Sequence, residues 1–220
     1  GPTQADAMRY LKRAVELDQN RAEYHLYVGW AANNAVPAQL ALAKDEIDKA
    51  LSLDKLLADA YWQRGVLEQK QGTVDDAIRD VMRALQLKPT RIDAHATLAA
   101  CYDIKNDPAA AMAEWQKAIA GNDRVPEWRL HYGKMLLDRG SAAEAVKHLM
   151  FAASEGEKLD PRPGWLADAE FGAAEALRKT GARDLAIEKY KRFLEIAPTS
   201  SPDRKDALNA LVNMGVGTVP

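Results

Sequence analysis

The chain has 220 residues, of which 47% are hydrophobic and 28% charged, and its 30 basic and 32 acidic side chains give a formal net charge of −2. This balance excludes a disordered chain, and the lack of a basic excess disfavours nucleic-acid binding. A single cysteine excludes an intramolecular disulfide framework, and no apolar run approaches the ~20 residues needed to cross a membrane, so we expect no direct membrane insertion.

The chain opens with Gly-Pro, and we interpret residues 1–3 as the scar of a tag-removing protease and the start of the chain. A natural N-terminus that has been cut away is therefore expected. Residues 4–20 predict one amphipathic helix with small, large and small side chains at Ala7, Leu11 and Ala14. Its pairing helix is missing, which indicates the second helix of a truncated repeat.

Small residues then recur along three tracks in steps of 34 residues, as from 65 to 99. The tracks are Gly65, Ala99 and Gly133; Ala77, Ala111 and Ala145; and Ala84, Ala118 and Ala152. Bulky residues, namely Val81, Trp115 and Leu149, lie four positions after each alanine of the second track. Small residues are needed where two helices cross closely, and bulky ones fill the space between crossings. The period therefore predicts stacked helix pairs.

Five such helix pairs follow the first helix. They are predicted at residues 21–54, 55–89, 90–122, 123–156 and 165–199. Residues 157–164 are rich in glycine, proline and charge, and we interpret them as an inserted loop. Residues 201–214 predict an amphipathic capping helix, and residues 215–220 a tail.

Two helix starts carry signals of their own. The run from Ser141 to Glu144 predicts a capping box, in which two side chains bond each other's backbone N–H groups. Asp107 followed by Pro108 predicts a side-chain cap with proline at the first helical position. Both signals agree with the boundaries that the repeat period predicts.

The unit at 55–89 resembles the tetratricopeptide repeat. The resemblance rests on the offsets of six residues: Tyr61, Gly65, Ala77, Val81, Ala84 and Pro89. The same pattern covers about residues 4 to 197. It implies an all-α fold, a right-handed superhelical solenoid of antiparallel helix pairs with a C-terminal capping helix. It also implies a non-catalytic scaffold that binds a peptide or protein partner through a concave groove.

The resemblance further implies which residues line that groove. The protein-binding candidates are Tyr27, Trp30, Asn33, Trp62, Gln63, Val66, Gln69, Thr97, Asp103, His131, Lys134 and Glu170. Tyr27, Trp30 and Trp62 are aromatic side chains of the kind that dominates interface energetics. Packing of Trp30 or Trp62 between repeats is the alternative.

Asn33, Gln69 and Asp103 form a polar line with one residue per repeat. Such side chains can hydrogen-bond the backbone of an extended peptide, and a solvated groove wall is the alternative. Family members that hold the C-terminal tail of heat-shock chaperones do so with Lys or Arg and Asn from adjacent units. Lys134 is the one basic groove candidate here, so we expect no capture of such a tail.

The sequence shows no catalytic or cofactor-binding pattern. Its four histidines, His25, His95, His131 and His148, do not pair at metal-ligand spacings, and we expect His25 and His95 to pack. Phosphate-binding glycine loops and nucleophile motifs are also missing. Cys101 falls on an apolar repeat position and predicts a buried, inert thiol. We therefore expect no enzyme, metal or cofactor.

Two alternatives from other classes stay open. The chain can be a structural, self-assembling segment of a longer array. Its convex face or the 157–164 loop can instead dock a folded regulator such as a small GTPase. The alanine-rich sequence favours a bacterial source. The compartment stays open between the cytoplasm, which we favour, and the cell envelope.

Overall fold

The computed structural model describes residues 3–217, so the predicted scar at Gly1 and Pro2 and the last three residues of the predicted tail lie outside it. Within this range the chain forms twelve α-helices and no strand, which confirms the all-α repeat prediction. The helices are α1 (Gln4–Leu17), α2 (Ala22–Asn33), α3 (Leu40–Leu53), α4 (Ala58–Gln71), α5 (Val74–Leu87), α6 (Ile92–Ile104), α7 (Pro108–Gly121), α8 (Pro126–Asp138), α9 (Ala142–Glu157), α10 (Leu166–Lys179), α11 (Arg183–Ile196) and α12 (Asp203–Asn213). No helix of the described range is long and apolar enough to span a bilayer.

Helices that follow one another in the chain pack as pairs, α2 with α3, α4 with α5, α8 with α9 and α10 with α11. The crossing of α4 and α5 shows why the period uses small residues. A methyl group added at Gly65 would lie 2.5 Å from Val81 Cγ2 and 3.0 Å from the Ala77 carbonyl oxygen. Gly29 approaches Ile47 of α3 in the same way, at 2.7 Å. The 34-residue tracks therefore mark the points of closest approach between paired helices.

The chain divides into two compact units, one ending at Ala118 and the other beginning at Ile119. The first unit has a core shared by α2, α3 and α4, in which Ile47, Leu51 and Leu67 are buried. A smaller cluster joins α5 to α6. Each core is built by neighbouring helices, as expected when every repeat buries its apolar face on the next.

The second unit has its core around Tyr190 and Phe193 of α11. Helix α12 adds Ala207 and Leu211 to this core, and both side chains are buried. It therefore covers the apolar face of α11, as the sequence predicts for a capping helix. The opposite side of α12 carries charged and amide side chains.

A charged network joins three helices of the first unit. Arg64 on α4 donates to both oxygens of Asp80 on α5, at 2.5 and 3.1 Å, and to Asp48 on α3 at 3.0 Å. Asp80 is 8% exposed, so Arg64 neutralises a charge that would otherwise be costly to bury. One turn along α4, Glu68 Oε2 has no hydrogen-bond partner among residues 3–217. Burial, with a smaller contribution from the Asp80 charge, raises the pKa of Glu68 to about 7.

The capping box predicted at Ser141 is wrong. Ser141 is the N-cap of α9, but its side chain makes no cap hydrogen bond with any described residue. Its ψ of 52° departs from the extended backbone that points an N-cap oxygen at the first turn. Asp107 does cap α7, because its Oδ1 accepts from the Ala110 N–H at 3.1 Å. A full capping box between Thr3 and Asp6 opens α1 and was not predicted.

Candidate functional site

Two large aromatic side chains lie on the exposed face of α2. Tyr27 is 51% exposed and Trp30 is 49% exposed. They are three positions apart, so they lie one turn apart on the same side of the helix. Most of the remaining residues between His25 and Asn33 are buried, so the exposed part of this segment is aromatic.

Trp62 on α4 is held between helices, unlike Trp30. Its indole Nε1 donates to Thr97 Oγ1 on α6 at 3.0 Å. The Arg91 guanidinium stacks on its ring, 3.8 Å from the centroid. Arg91 is fixed in turn by Asp59, whose Oδ1 accepts from Nη1 at 2.6 Å. Trp62 therefore packs between repeats, with only part of its ring accessible.

The predicted polar line does not lie at one depth. Asn33 is 1% exposed, and its Oδ1 and carbonyl oxygen accept from Lys70 Nζ at 2.9 and 3.0 Å. Lys70 thereby satisfies the Asn33 backbone carbonyl at the C-terminus of α2. Gln69 is half-buried, and Asp103 is exposed and accepts from Trp115 Nε1 at 3.2 Å. Asn33 is thus an internal bonding partner of Lys70.

Three further groove candidates are buried, which corrects the assumption that they face a partner. Gln63 is 6% exposed and Thr97 is 8% exposed. Thr97 Oγ1 is occupied by the indole described above and by its own donation to a backbone carbonyl. Glu170 is fully buried and pairs with Lys189 Nζ at 3.1 Å, and burial raises the pKa of Glu170. Thr97 is held by its bond to α4 and Glu170 by its ion pair to α11, and all three residues are removed from the surface.

The exposed candidates of the second unit lie on α8. His131 and Lys134 are three positions apart and both exposed. Lys134 Nζ lies 3.5 Å from Asp168 Oδ2 on α10. In the first unit, Val66 on α4 is half-buried beside the more exposed pair on α2. The accessible candidates are Tyr27, Trp30, Val66, Gln69 and Asp103 in the first unit, and His131 and Lys134 in the second.

Known proteins with similar sequences are named as repeat proteins or as assembly proteins. No family model matches the chain. Type IV pilus assembly protein PilF of Pseudomonas aeruginosa is 31% identical over 97 residues, 44% of this chain and 38% of PilF. Tetratricopeptide repeat protein 13 of Homo sapiens is 29% identical over 125 residues, 56% of this chain and 14% of that protein. Photosystem I assembly protein Ycf3 of Synechococcus sp. is 26% identical over 163 residues, 72% of this chain and 88% of Ycf3.

Solved structures share the fold. YrrB, described as a TPR protein with an unusual peptide-binding site, is 24% identical with a TM-score of 0.66 and covers 91% of this chain and 96% of its own. PilF of Pseudomonas aeruginosa is 21% identical with a TM-score of 0.75 and covers 86% and 82%. These similarities agree with the 34-residue period of small residues at the crossings of paired helices. The chain is similar in sequence to tetratricopeptide repeat proteins and shares their fold. It spans less than half the length of PilF and of tetratricopeptide repeat protein 13.

Two histidines of the chain bridge the paired helices of a repeat. His25 Nδ1 lies 2.6 Å from Glu46 Oε2, and His95 Nδ1 lies 2.6 Å from Glu114 Oε2. Each pair joins the two helices of one repeat. Residues 3–217 hold no group of three or more His, Cys, Asp or Glu side chains that fits a metal ion.

The buried cysteine and the names of the relatives bear on catalysis and source. Burial raises the pKa of the Cys101 thiol to about 11, so this side chain is a buried thiol and not a thiolate nucleophile at neutral pH. The relatives are named as assembly or repeat proteins, in agreement with the prediction that the chain is not an enzyme. PilF and Ycf3 come from bacteria, which fits the expected bacterial source.

Proposed function

We propose that the chain is a non-catalytic scaffold that binds a peptide or protein through the first helices of its repeats, with Tyr27 and Trp30 as anchors. In the first unit this face is formed by α2, α4 and α6. Helix α2 lies beside α4, and α4 lies beside α6. The accessible candidates of these helices therefore form one surface.

The exposed pair on α2 carries the proposal. Large aromatic side chains lose little conformational entropy when a partner covers them, and they remove much apolar area from water. Tyr27 and Trp30 are each about half exposed, so about half of that gain is still available in the free chain. Gln69 and Asp103 lie on the neighbouring helices, where they can bond a partner's backbone.

The names of relatives support the same class of function. YrrB is described as having a peptide-binding site, and PilF and Ycf3 are named as assembly proteins. A stable complex buries roughly 800 Å² on each partner. A surface spread over three adjacent helices is suited to supply such an area.

The test replaces both Tyr27 and Trp30 with alanine and compares the variant with Tyr10→Ala on α1, whose side chain is 62% exposed. Partners are captured with the wild-type chain from a lysate of the source organism, and the affinity of a purified partner is then measured by calorimetry. We expect binding at least about tenfold weaker for the double variant, because truncating a hot spot costs ~2 kcal/mol or more. Its melting temperature should not change. Wild-type affinity in a folded double variant, or an equal loss for Tyr10→Ala, contradicts the proposal.

A second candidate function, self-association through α1, has an observation of its own. Within the described residues α1 buries none of its side chains, and Tyr10 and Leu17 are 62% and 72% exposed. Sedimentation velocity over a range of concentrations tests it. A dimer that Leu17→Glu abolishes supports self-association, and a strict monomer at the highest concentration excludes it.

A further inference from the structure

The second unit contains a cavity, and the groove candidate Lys134 is one of the residues that line it. It has a volume of about 690 Å³ and lies among α8, α10 and α12. Pockets that hold a small-molecule ligand occupy roughly 300–1,000 Å³. Leu137, Phe171, Ala210 and Met214 supply its apolar lining. The capping helix thus forms one wall of a cavity as well as covering the core.

The charged groups of the cavity are unbalanced. Five carboxylates and three basic groups line it, which gives a formal net charge of −2. Two carboxylates are already paired, Asp168 with Lys134 at 3.5 Å and Glu175 with Arg178 at 2.6 Å. The other three form no ion pair within the described part of the chain; they are Asp138, Asp203 and Asp206.

Helix stability explains two of these three carboxylates and not the third. Asp203 and Asp206 lie in the first turn of α12, where a negative charge interacts favourably with the helix dipole. Asp138 is the last residue of α8, where the dipole disfavours a negative charge. Asp138 is exposed, so its charge is solvated in the free chain, and helix stability does not account for it. A cation that enters the cavity is attracted to all three carboxylates.

Two amides on α12 narrow the class of ligand. Asn209 and Asn213 are four positions apart and line the cavity, and their side-chain amides make no hydrogen bond with any residue between 3 and 217. An amide offers both a donor and an acceptor, which is what the backbone of an extended peptide requires. A small polyamine would use the carboxylates and leave the amides and the apolar lining unused.

We propose that this cavity binds an extended peptide segment of a partner, seating a lysine or arginine at Asp138, Asp203 and Asp206 beside an apolar residue on Phe171. The inference rests on the proposed function, since it assigns chemistry to one part of the scaffold's partner. The groove residues of the first unit play no part in it. Either site can therefore fail alone.

The experiment selects a displayed library of random nine-residue peptides on the 220-residue chain. We expect the recovered peptides to be enriched in Lys or Arg next to an apolar residue. A synthetic copy should bind about tenfold more weakly to Asp138→Asn/Asp203→Asn/Asp206→Asn, since each exposed ion pair changes affinity by a small factor. Asp184→Asn on α11 removes one carboxylate, as each of the three substitutions does, from a side chain that is 96% exposed, and it should bind as the wild type.

Two further measurements separate the outcomes. Loss of the two α12 carboxylates can itself weaken that helix, so Asp138→Asn is also measured alone. This single variant should bind the peptide more weakly than the wild type, while its melting temperature equals or exceeds that of the wild type. Asn209→Ala should also weaken peptide binding. No basic enrichment, binding that survives the triple variant, or spermidine binding as tightly as the peptide overturns the inference. A peptide that still binds the triple variant but does not bind the chain with Tyr27 and Trp30 replaced by alanine overturns this inference and supports the proposed function.

Discussion

Gly65 lies where α4 crosses α5, and its replacement by alanine tests whether the small-residue tracks are set by helix contact. The added Cβ would lie 2.5 Å from Val81 Cγ2, 3.0 Å from the Ala77 carbonyl oxygen and 3.4 Å from the Val81 nitrogen. Two of these atoms belong to the backbone of α5. They move only if the two helices separate.

The expected loss follows from two opposed effects. Alanine is intrinsically favoured over glycine in a helix by about 1 kcal/mol. Overpacking a core costs about 1–3 kcal/mol, and Gly65→Ala belongs at the upper end because Val81 is buried and has one preferred χ1 rotamer in a helix. We therefore expect the free energy of unfolding to fall by about 1–2 kcal/mol.

Urea unfolding followed by circular dichroism measures this difference. Gly172→Ala is the matched control, because the three atoms nearest its Cβ all belong to the Leu149 side chain, at 3.1–3.8 Å, and a flexible side chain can shift. The double variant Gly65→Ala/Val81→Ala should lose less than the sum of its single variants, because it removes the nearer clash. A Gly65→Ala midpoint equal to or above that of the wild type refutes the reasoning.

Three further predictions concern charge and capping. In Arg64→Lys the ammonium group has no planar fork with which to bridge two carboxylates, so the free energy of unfolding should fall by about 1–2 kcal/mol. An unchanged urea midpoint contradicts this. The pKa of Glu68 is about 7 when folded against a usual 4.5, so the folded chain binds the extra proton and stability falls as pH rises through that window. In Glu68→Gln the free energy of unfolding should fall less between pH 4.5 and 8, by up to about 3 kcal/mol. If the two proteins lose the same stability over this pH range, the raised pKa of Glu68 is contradicted. Asp107→Ala should cost about 1 kcal/mol and Ser141→Ala nothing measurable, because one side chain caps its helix and the other does not; equal losses in thermal melts contradict this.

The fold could be predicted from the sequence because the crossings between paired helices leave a regular pattern of small residues. A close crossing such as that of Gly65 on Val81 excludes larger residues, so small residues recur with the length of the repeat. Capping was less predictable. The motif at Ser141 matches in residue types, but the bond depends on a backbone dihedral angle that residue types do not determine. The His25–Glu46 pair could have been predicted from the sequence, because a carboxylate stands directly before Ile47, the bulky residue at the helix crossing.

The binding face was less predictable than the fold. Repeat position indicates which side of a helix faces a partner, but exposure depends on long side chains that arrive from the next repeat. Lys70 reaches Asn33 in this way, and Arg91 covers Trp62 from the segment before α6. Tyr27 and Trp30 stay exposed on α2. The α12 wall of the cavity escaped prediction because α12 was interpreted by its apolar side alone.

The span of these side-chain contacts has a consequence for synthesis of the chain. Lys70 and Asn33 are 37 positions apart, and Arg192 and Glu157 are 35 apart, so each bond closes within about one repeat. Contacts of short sequence separation form quickly, and folding during translation proceeds from the N-terminus. A ribosome that has released one more helix pair has released the partners that the preceding pair needs. Each repeat can therefore reach its final packing while the following ones are still being translated.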